Sequence, residues 1–287
     1  MFCELFGYSK QAYYKARAHA RYYADKVQDI KEAVLQIRRQ MPRLGVRKLH
    51  CMLKEGFVSA GVNIGRDKLF TILRKEGLLI VKRRKYTVTT NSRHWMRKYP
   101  NIVKGIELNR PEQIWVADIT YLDISDRSAY LHLITDAYSK KIMGYELCNN
   151  LEAASSLKAL QMALKERKYE DKPLIHHSDR GLQYCSKLYV NLLKEKGIQI
   201  SMTENGDPYE NAIAERINGI LKDEFGLSER FESLDQAKMQ TNQSIKTYNT
   251  LRPHLSCNMM TPVKMHQQDK IRLKTWNKKT SNILMDV

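Results

Sequence analysis

The sequence predicts a mixed α/β domain preceded by an all-α region, and three observations carry that prediction. Residues 27–80 repeat apolar positions at helical spacing, whereas past Pro111 the texture changes to short segments rich in β-branched and aromatic residues. Helical and strand patterns then alternate, which is the signature of a sheet layered with helices. The charge divides at the same place: of a formal +18, residues 1–110 hold 25 Lys and Arg against 8 Asp and Glu, while residues 111–287 hold 24 against 23. A hydrophobic content of 43% over 287 residues suffices for one sizeable core and one or two small helical modules.

A basic half joined to a nearly neutral half marks a part that grips a polyanion, since a merely solubilising charge would not respect a boundary. Residues 1–26 are read as an N-terminal helical arm rich in Tyr13, Tyr14, Lys15, Arg17 and Arg21. Residues 27–81 carry one apolar stripe through Val27, Ile30, Val34, Leu35 and Ile37 and another through Leu49, Met52, Leu53 and Phe57, with Gly45 and Gly56 as punctuation. A third helix starts near Gly65-Arg66-Asp67, burying Leu69, Phe70, Ile72 and Leu73 and leaving Arg66, Lys68, Arg74 and Lys75 as exposed cations. Short helices with a basic last member fit a helix-turn-helix DNA reader, and on pattern alone they fit a small helical bundle equally well. Residues 82–110 hold nine Lys and Arg, including Lys82-Arg83-Arg84-Lys85, against the single acid Glu107. This basic linker is either a solvated connector or a track for a phosphate backbone, on which Tyr86, Trp95 and Tyr99 could stack on bases.

The five cysteines are scattered without a Cys-x-x-Cys pair, which argues against a disulfide framework or a zinc finger and for a reducing cytosol. No apolar run approaches the ~20 residues of a membrane helix, and the N-terminus lacks the charged and apolar blocks of an export signal. The expected protein is cytoplasmic and has no membrane partner.

Within residues 111–230 the pattern predicts strands over 113–124, 129–135 and 141–147, with Ser125-Asp126-Arg127-Ser128 as a turn. A helix over 152–168, a strand over 173–177, a helix over 186–196, a strand over 198–202 and a helix over 211–225 follow. Residues 231–287 are read as a helical extension over 234–251 and a polar, basic tail.

Three carboxylates stand out. Asp118 lies inside the first strand, in Trp115-Val116-Ala117-Asp118-Ile119-Thr120-Tyr121, where an ionised side chain needs a metal, a cation or several donors. Asp179 ends the fourth strand, in His176-His177-Ser178-Asp179-Arg180-Gly181, where Gly181 is expected to let the chain turn sharply. Glu215 shares one helix side with Asn211, Asn218 and Lys222, opposite Ile213, Ile217, Ile220 and Leu221, so this polar stripe is expected to face away from the core, toward solvent or a substrate channel. Together these acids form an all-oxygen set suited to Mg²⁺ or Mn²⁺. Such a site accommodates two ions ~3.5–4 Å apart for an in-line phosphoryl displacement.

The same residues resemble the transposases of bacterial insertion sequences, of the second-reading-frame type, which carry an Asp-Asp-Glu core like that of retroviral integrases. The strand around Asp118 is similar to the family's first-aspartate strand, His177 through Tyr184 to its second, and Asn211-Ala212-Ile213-Ala214-Glu215-Arg216 through Lys222 to its glutamate helix. Thirty-five residues separate Asp179 from Glu215, the spacing the family shows. The likeness runs on through Tyr248-Asn249, Arg252-Pro253-His254 and Thr261-Pro262, and upstream to Gly77-Leu78. Ala117 and Glu204-Asn205-Gly206 depart from the family's pattern without touching a presumed ligand.

The resemblance implies a ribonuclease H-like core over 111–230. It implies Asp118, Asp179 and Glu215 as the catalytic, metal-binding triad holding two Mg²⁺ or Mn²⁺ ions, metal-dependent cleavage at element ends, and strand transfer by 3′-hydroxyl attack. Lys222 and Asn211 become DNA contacts beside the site. Arg66, Lys68, Arg74, Lys75, Lys82, Arg83, Arg84, Lys85 and Trp95 become contacts further out, and His177 is either a residue supporting the ligands or a structural histidine. The implied partners are double-stranded DNA, both element ends and target, a homodimer or higher assembly on DNA, and an upstream reading frame's product to which the chain is fused or by which it is assisted, at the nucleoid. A catalytically inactive DNA-binding regulator would be expected to break the triad, which is intact here, whereas a joining-deficient nuclease of the same fold differs only through the family likeness. Asp123, Asp126, Asp136, Glu204, Asp207 and Glu210 are rival acids read mostly as solvated turn residues.

Overall fold

A computed structural model describes Gly7 and residues 9–59, 64–81, 96–125, 127–204 and 211–273. The chain forms two compact units, Met1–Lys85 with Asp223–Gly226, and Tyr86–Lys222 with Leu227–Val287.

In the first unit, α1 (Lys10–Gln40) starts on Ser9, whose hydroxyl accepts the Ala12 N–H at 3.1 Å. The expected boundary at residue 26 falls inside this helix, because nothing between Lys10 and Gln40 breaks the backbone ladder. Helices α2 (Val46–Ser59) and α3 (Arg66–Lys75) bury Val46, Leu49, Phe57, Leu69, Ile72 and Leu73 together with Ile30 and Val34 of α1. Gly56, expected to punctuate, lies inside α2. Gly77 does end α3: at φ +66° it lets the Leu78 N–H reach the Leu73 carbonyl at 2.7 Å.

The second unit is built on a five-stranded sheet of order β3-β2-β1-β4-β5. Strands β1 (Ile114–Ile124), β2 (Arg127–Asp136) and β3 (Ile142–Cys148) run antiparallel as two hairpins, and β4 (Ile175–Ser178) and β5 (Gln199–Met202) add parallel to β1. The crossovers carry α4 (Ala153–Lys165), the short α5 (Leu182–Cys185) and α6 (Lys187–Glu195), and α7 (Ala212–Glu224) follows β5. Strand alternation divides the core into two faces. Trp115 and Ala117 pack with α4, α5 and α6 residues such as Leu160, Tyr184 and Leu193, whereas Ile114 and Val116 pack with Ile175 and with Ala214 of α7. Helix α4 lies so close to β3 that a Cβ at Gly144 would stand 2.1 Å from the Ala159 carbonyl oxygen, which explains glycine there.

Two expectations are corrected. Residues 96–110 are no free linker: Met96, Tyr99, Val103 and Leu108 pack on the core, and the Ile102 N–H bonds the Ser201 hydroxyl at 3.0 Å. Tyr99 is therefore half-buried, with Arg97 over its ring, because apolar residues dispersed among the cations find the sheet edge. The segment after Pro253, expected to be a polar tail, stays on the core as far as the described residues go, with Cys257 and Met265 packing on Tyr138. Helix α8 (Leu234–Thr250) brings Tyr248 and Asn249 onto the β2–β3 hairpin. The Tyr248 hydroxyl donates to the Lys140 carbonyl at 2.8 Å, and the Asn249 amide brackets Ile142, accepting its N–H at 3.0 Å and donating to its carbonyl at 2.9 Å. Helix α9 (Pro262–His266), capped by Thr261, delivers His266 into a buried cluster. There its ring bonds Glu112 at 3.1 Å and Ser139 at 3.0 Å, and Asp136 accepts from the Glu112 and Ser139 N–H groups, each at 2.7 Å. Asp136 is thus a rival acid committed to structure.

Substituting Gly144 by Ala is expected to destabilise by ~3 kcal/mol or more, since both contacts are backbone and cannot step aside. Urea unfolding of the variant checks this, and an unchanged midpoint would contradict the packing. Burial holds the His132 ring near 4 and, with its neighbour His177, the His176 ring near 3, below the ordinary 6.5. Both rings must stay neutral in the fold, so their contribution to stability is complete above pH 6.5 and is lost as the pH falls toward 3–4. The slope of unfolding free energy against pH in that window should flatten in His132→Gln.

Candidate active site

The parallel pairing of β1 and β4 builds the site. Its last register pair is Ala117 with Ser178, so the next step along both strands sets Asp118 beside Asp179, where β4 has just ended. Within β1, Asp118 continues the face of Val116, the face that α7 covers. Adjacent strands lie about 4.8 Å apart, which leaves two carboxylates little room to ionise together. Burial, then the charge of Asp179, push the Asp118 carboxyl up to about 7, against the opposing pull of the Ile119 N–H and the Asn218 amide. Glu215 adds the smallest push.

Helix α7 is pinned to β1 by two amides. Asn211 Nδ2 donates to the Ala117 carbonyl at 3.1 Å, and Asn218 Nδ2 donates to Asp118 Oδ2 at 2.7 Å, while Oδ1 of Asp118 accepts the Ile119 N–H at 2.9 Å. Asn211 and Asn218 of the stripe therefore turn toward the sheet rather than away from it. Both asparagines are buried, Lys222 is half-buried and Glu215 is exposed at the rim. The expectation failed because amphipathicity equates polar with solvated, whereas amide donors can spend their polarity on a strand. The outer oxygens, Oδ1 of Asn211 and of Asn218, are buried with no partner among the described residues. Burial raises the Glu215 carboxyl as well.

Gly181 does not serve as a left-handed hinge: its φ is −63°. A Cβ there would stand 3.0 Å from Oδ1 of Asp179, the atom that accepts the Gly181 N–H at 2.9 Å, so a larger residue would press on this carboxylate by a few tenths of an ångström. Beneath the pair, Tyr184 is buried with no partner for its hydroxyl among the described residues, and burial together with the charge of Asp179 raises its phenol well above the usual range. Sequence reasoning missed Asn218 as a donor to Asp118 and Tyr184 near the acids: the place of Asn218 beside Glu215 on one helix side was a signal for the first, and nothing marked the second.

His177 is buried in β4 and bonds Ser201 of β5 at 2.9 Å. Of the other expected residues, Arg66, Lys68, Arg74 and Lys75 are exposed on α3, with Arg66 paired to Asp67 at 2.8 Å. Lys82, Arg83, Arg84, Lys85 and Trp95, and the rival acids Asp126, Asp207 and Glu210, lie outside the described residues. Asp123 is exposed, and Glu204 accepts the Asn101 N–H at 3.2 Å. Among the described residues no three His, Cys, Asp or Glu side chains are gathered closely enough to hold a metal ion; Asp118 and Asp179 are adjacent and Glu215 stands apart at the rim.

An antiparallel triplet extended by two parallel strands, with helices on both faces, defines a ribonuclease H-like domain, the architecture of polynucleotidyl transferases. Two family models described as integrase core domain match residues 109–208 and 196–262. The chain is 32% identical over 272 residues to an uncharacterized 31 kDa protein of insertion element IS600 of Shigella sonnei, covering 93% of this chain and 97% of that one. It is 32% identical to the transposase of IS629 of the same organism, over 72% and 68% of the two chains. It is 30% identical to a putative transposase of IS986/IS6110 of Mycobacterium tuberculosis, over 77% and 80%. The chain belongs to the insertion-sequence transposases with an integrase core and is a DNA transposase. Among solved structures, it is similar to the catalytic core of HTLV-2 integrase in complex with magnesium, at 20% identity and a TM-score of 0.44 over 56% of this chain and 99% of that one. A simian T-cell lymphotropic virus intasome chain aligns at 18% identity and a TM-score of 0.49, over 82% and 79%.

Because the folded-state value of Asp118 lies above its unfolded 3.8, the native state favours the protonated acid; the stability this brings is complete below pH 3.8 and lost as the pH rises through about 7. Asp118→Asn should therefore raise the melting temperature at pH 8 in chelator and leave it nearly unchanged at pH 4. Equal shifts at both values would remove the coupling with Asp179. In Asn218→Ala the Asp118 carboxyl loses a donor to its charged form and should titrate above 7, a change that carboxyl NMR reads directly.

Proposed function

We propose that Asp118, Asp179 and Glu215 are the catalytic acids of this transposase and that they hold divalent cations, Mg²⁺ or Mn²⁺, two per active site. The observation that carries the reading is the Asp118–Asp179 juxtaposition, where burial and then the charge of Asp179 raise the Asp118 carboxyl to about 7. The donor set is all oxygen, which fits a hard divalent ion, and the exposed Glu215 side chain of α7 can complete it by adjusting its rotamer. When bound, two such ions activate the attacking oxygen and stabilise the leaving one in an in-line displacement at phosphorus.

The chain's own residues do the rest. Asn218 orients the Asp118 carboxylate through Oδ2, and Asn211 ties α7 to the strand that bears it. Gly181 leaves the Asp179 carboxylate its position. His177 supports β4 through Ser201, and Lys222, seven residues past Glu215 on α7, meets a phosphate of DNA near the cut. The substrate is double-stranded DNA: cleavage at an element end leaves a 3′-hydroxyl, which then attacks a target phosphodiester, with two ends joined in a dimer or larger assembly. Residues 27–81 read DNA through α3, whose Arg66, Lys68, Arg74 and Lys75 are exposed, residues 82–110 lead to the core, 111–230 carry the chemistry, and 231–287 brace it. The chain works in the cytoplasm at the nucleoid, fused to or assisted by the product of an upstream reading frame. Among the described residues no helix is long and apolar enough to cross a membrane.

Nicking and joining of a duplex bearing the element's end sequences, with Mg²⁺ or Mn²⁺ and with the upstream product supplied, tests this reading. Glu215→Gln should lower both steps by a factor on the order of 10³ while leaving DNA binding intact. Binding without cleavage by the wild type under all these conditions would reject it.

A further inference from the structure

Among the described residues, the part of α1 before Tyr23 is an exposed helix, and Tyr23 itself lies under Lys68 of α3. Every residue from Ser9 to Asp25 is exposed, and burial of this helix begins only at Ile30. Isolated helical stretches of this length are marginal in water, so a partner that holds the helix is the physical reason to keep it. Residues 10–26 carry Lys10, Lys15, Arg17, Arg21 and Lys26 against the single acid Asp25. Lys10, Tyr14, Arg17 and Arg21 recur at steps of four, three and four residues, which places all four within one narrow stripe about 16 Å long.

The chemistry of this stripe selects a polyanion over a second copy of the chain. Residues 10–26 contain no Leu, Ile, Val, Met or Phe, so they offer no seam of large aliphatic side chains for a coiled coil, and two such basic stripes would repel. Tyr13, Tyr14, Tyr22 and Tyr23 are the exposed large side chains, and each has a hydroxyl able to donate to a phosphate oxygen. The surface also runs into α3: Lys68 lies over the Tyr23 ring, its ammonium 5.0 Å from the centroid.

We infer that residues 10–26 form a DNA-backbone clamp, in which Lys10, Arg17 and Arg21, with Tyr14 between them, contact consecutive phosphates of the duplex that α3 engages. The contact reads no bases; it adds affinity and fixes register beside the element end. This rests on the DNA transposase reading and gives the arm a task separate from the chemistry.

The test is the salt dependence of binding by the full-length chain to a duplex carrying an element end, wild type against the Lys10→Ala/Arg17→Ala/Arg21→Ala variant. All three positions are exposed and alanine favours helix, so the fold is kept. The expected result is weaker binding, with the slope of log affinity against log salt shallower by about 2.7, at roughly 0.9 per lost phosphate contact. Lys10→Arg/Arg17→Lys/Arg21→Lys should restore the slope, and amide exchange in residues 10–25 of the wild type should slow when DNA is added. An unchanged slope in the alanine variant overturns the clamp alone, as does a loss of self-association in sedimentation with DNA binding intact, which would make the stripe a protein contact. Failure of the wild type to bind any duplex would overturn the clamp and the DNA reading together.

Discussion

The structure depends on one pairing, that of β1 with β4. A parallel strand cannot be reached by a tight turn, so this pair obliges the chain to travel through β2, β3 and α4 before returning to the centre of the sheet. That detour is what brings two aspartates, distant in sequence, to adjacent strand positions. It also sets the electrostatic condition of the site, because burial and then the charge of the neighbouring Asp179 raise the Asp118 carboxyl. The rest of the second unit maintains that arrangement: Gly144 admits α4 tightly against β3, and Asn211 and Asn218 hold α7 against β1.

A second layer of polar contacts lies away from the carboxylates. Glu112, fully buried at φ +53°, accepts the N–H groups of Lys168 and Tyr169 at 2.8 and 3.0 Å and bonds His266. Burial alone would raise the Glu112 carboxyl and lower the His266 ring. The hydrogen bonds around them outweigh burial in both, so Glu112 is held down and His266 up. This cluster fastens the start of β1, the turn after α4 and the C-terminal segment to one point. The family-like residues Tyr248, Asn249 and Thr261 act in the same way, as braces for the edge of the sheet, with no part near the acids.

The order of strands and helices was legible because β1 is rich in β-branched and aromatic residues and the crossover helices are amphipathic, so local pattern and final burial agree. Strand bounds differ by a residue or two from those expected, as for β1 from Ile114 rather than Gln113. Legibility ended where packing contradicted composition: the linker and tail were classed by their cations, yet Met96, Val103, Cys257 and Met265 bind them to the core. The polar stripe of α7 misled for the related reason that a buried amide and a solvated one look the same in a sequence.

The sequence by itself determined the class of fold and the split between a basic and a neutral half, and it marked three candidate acids at a spacing like the family's, since these are properties of local pattern and residue count. Only the tertiary structure decided which acids meet: it sets Asp118 against Asp179 and leaves Glu215 at the rim, because strand register and helix rotation are properties of pairing between distant segments. It also decided that Asn218 serves Asp118, that Gly181 packs against the Asp179 carboxylate, and that the first helix extends beyond its buried residues. Each is settled by what stands within a few ångströms in space, and no spacing along the chain encodes that distance.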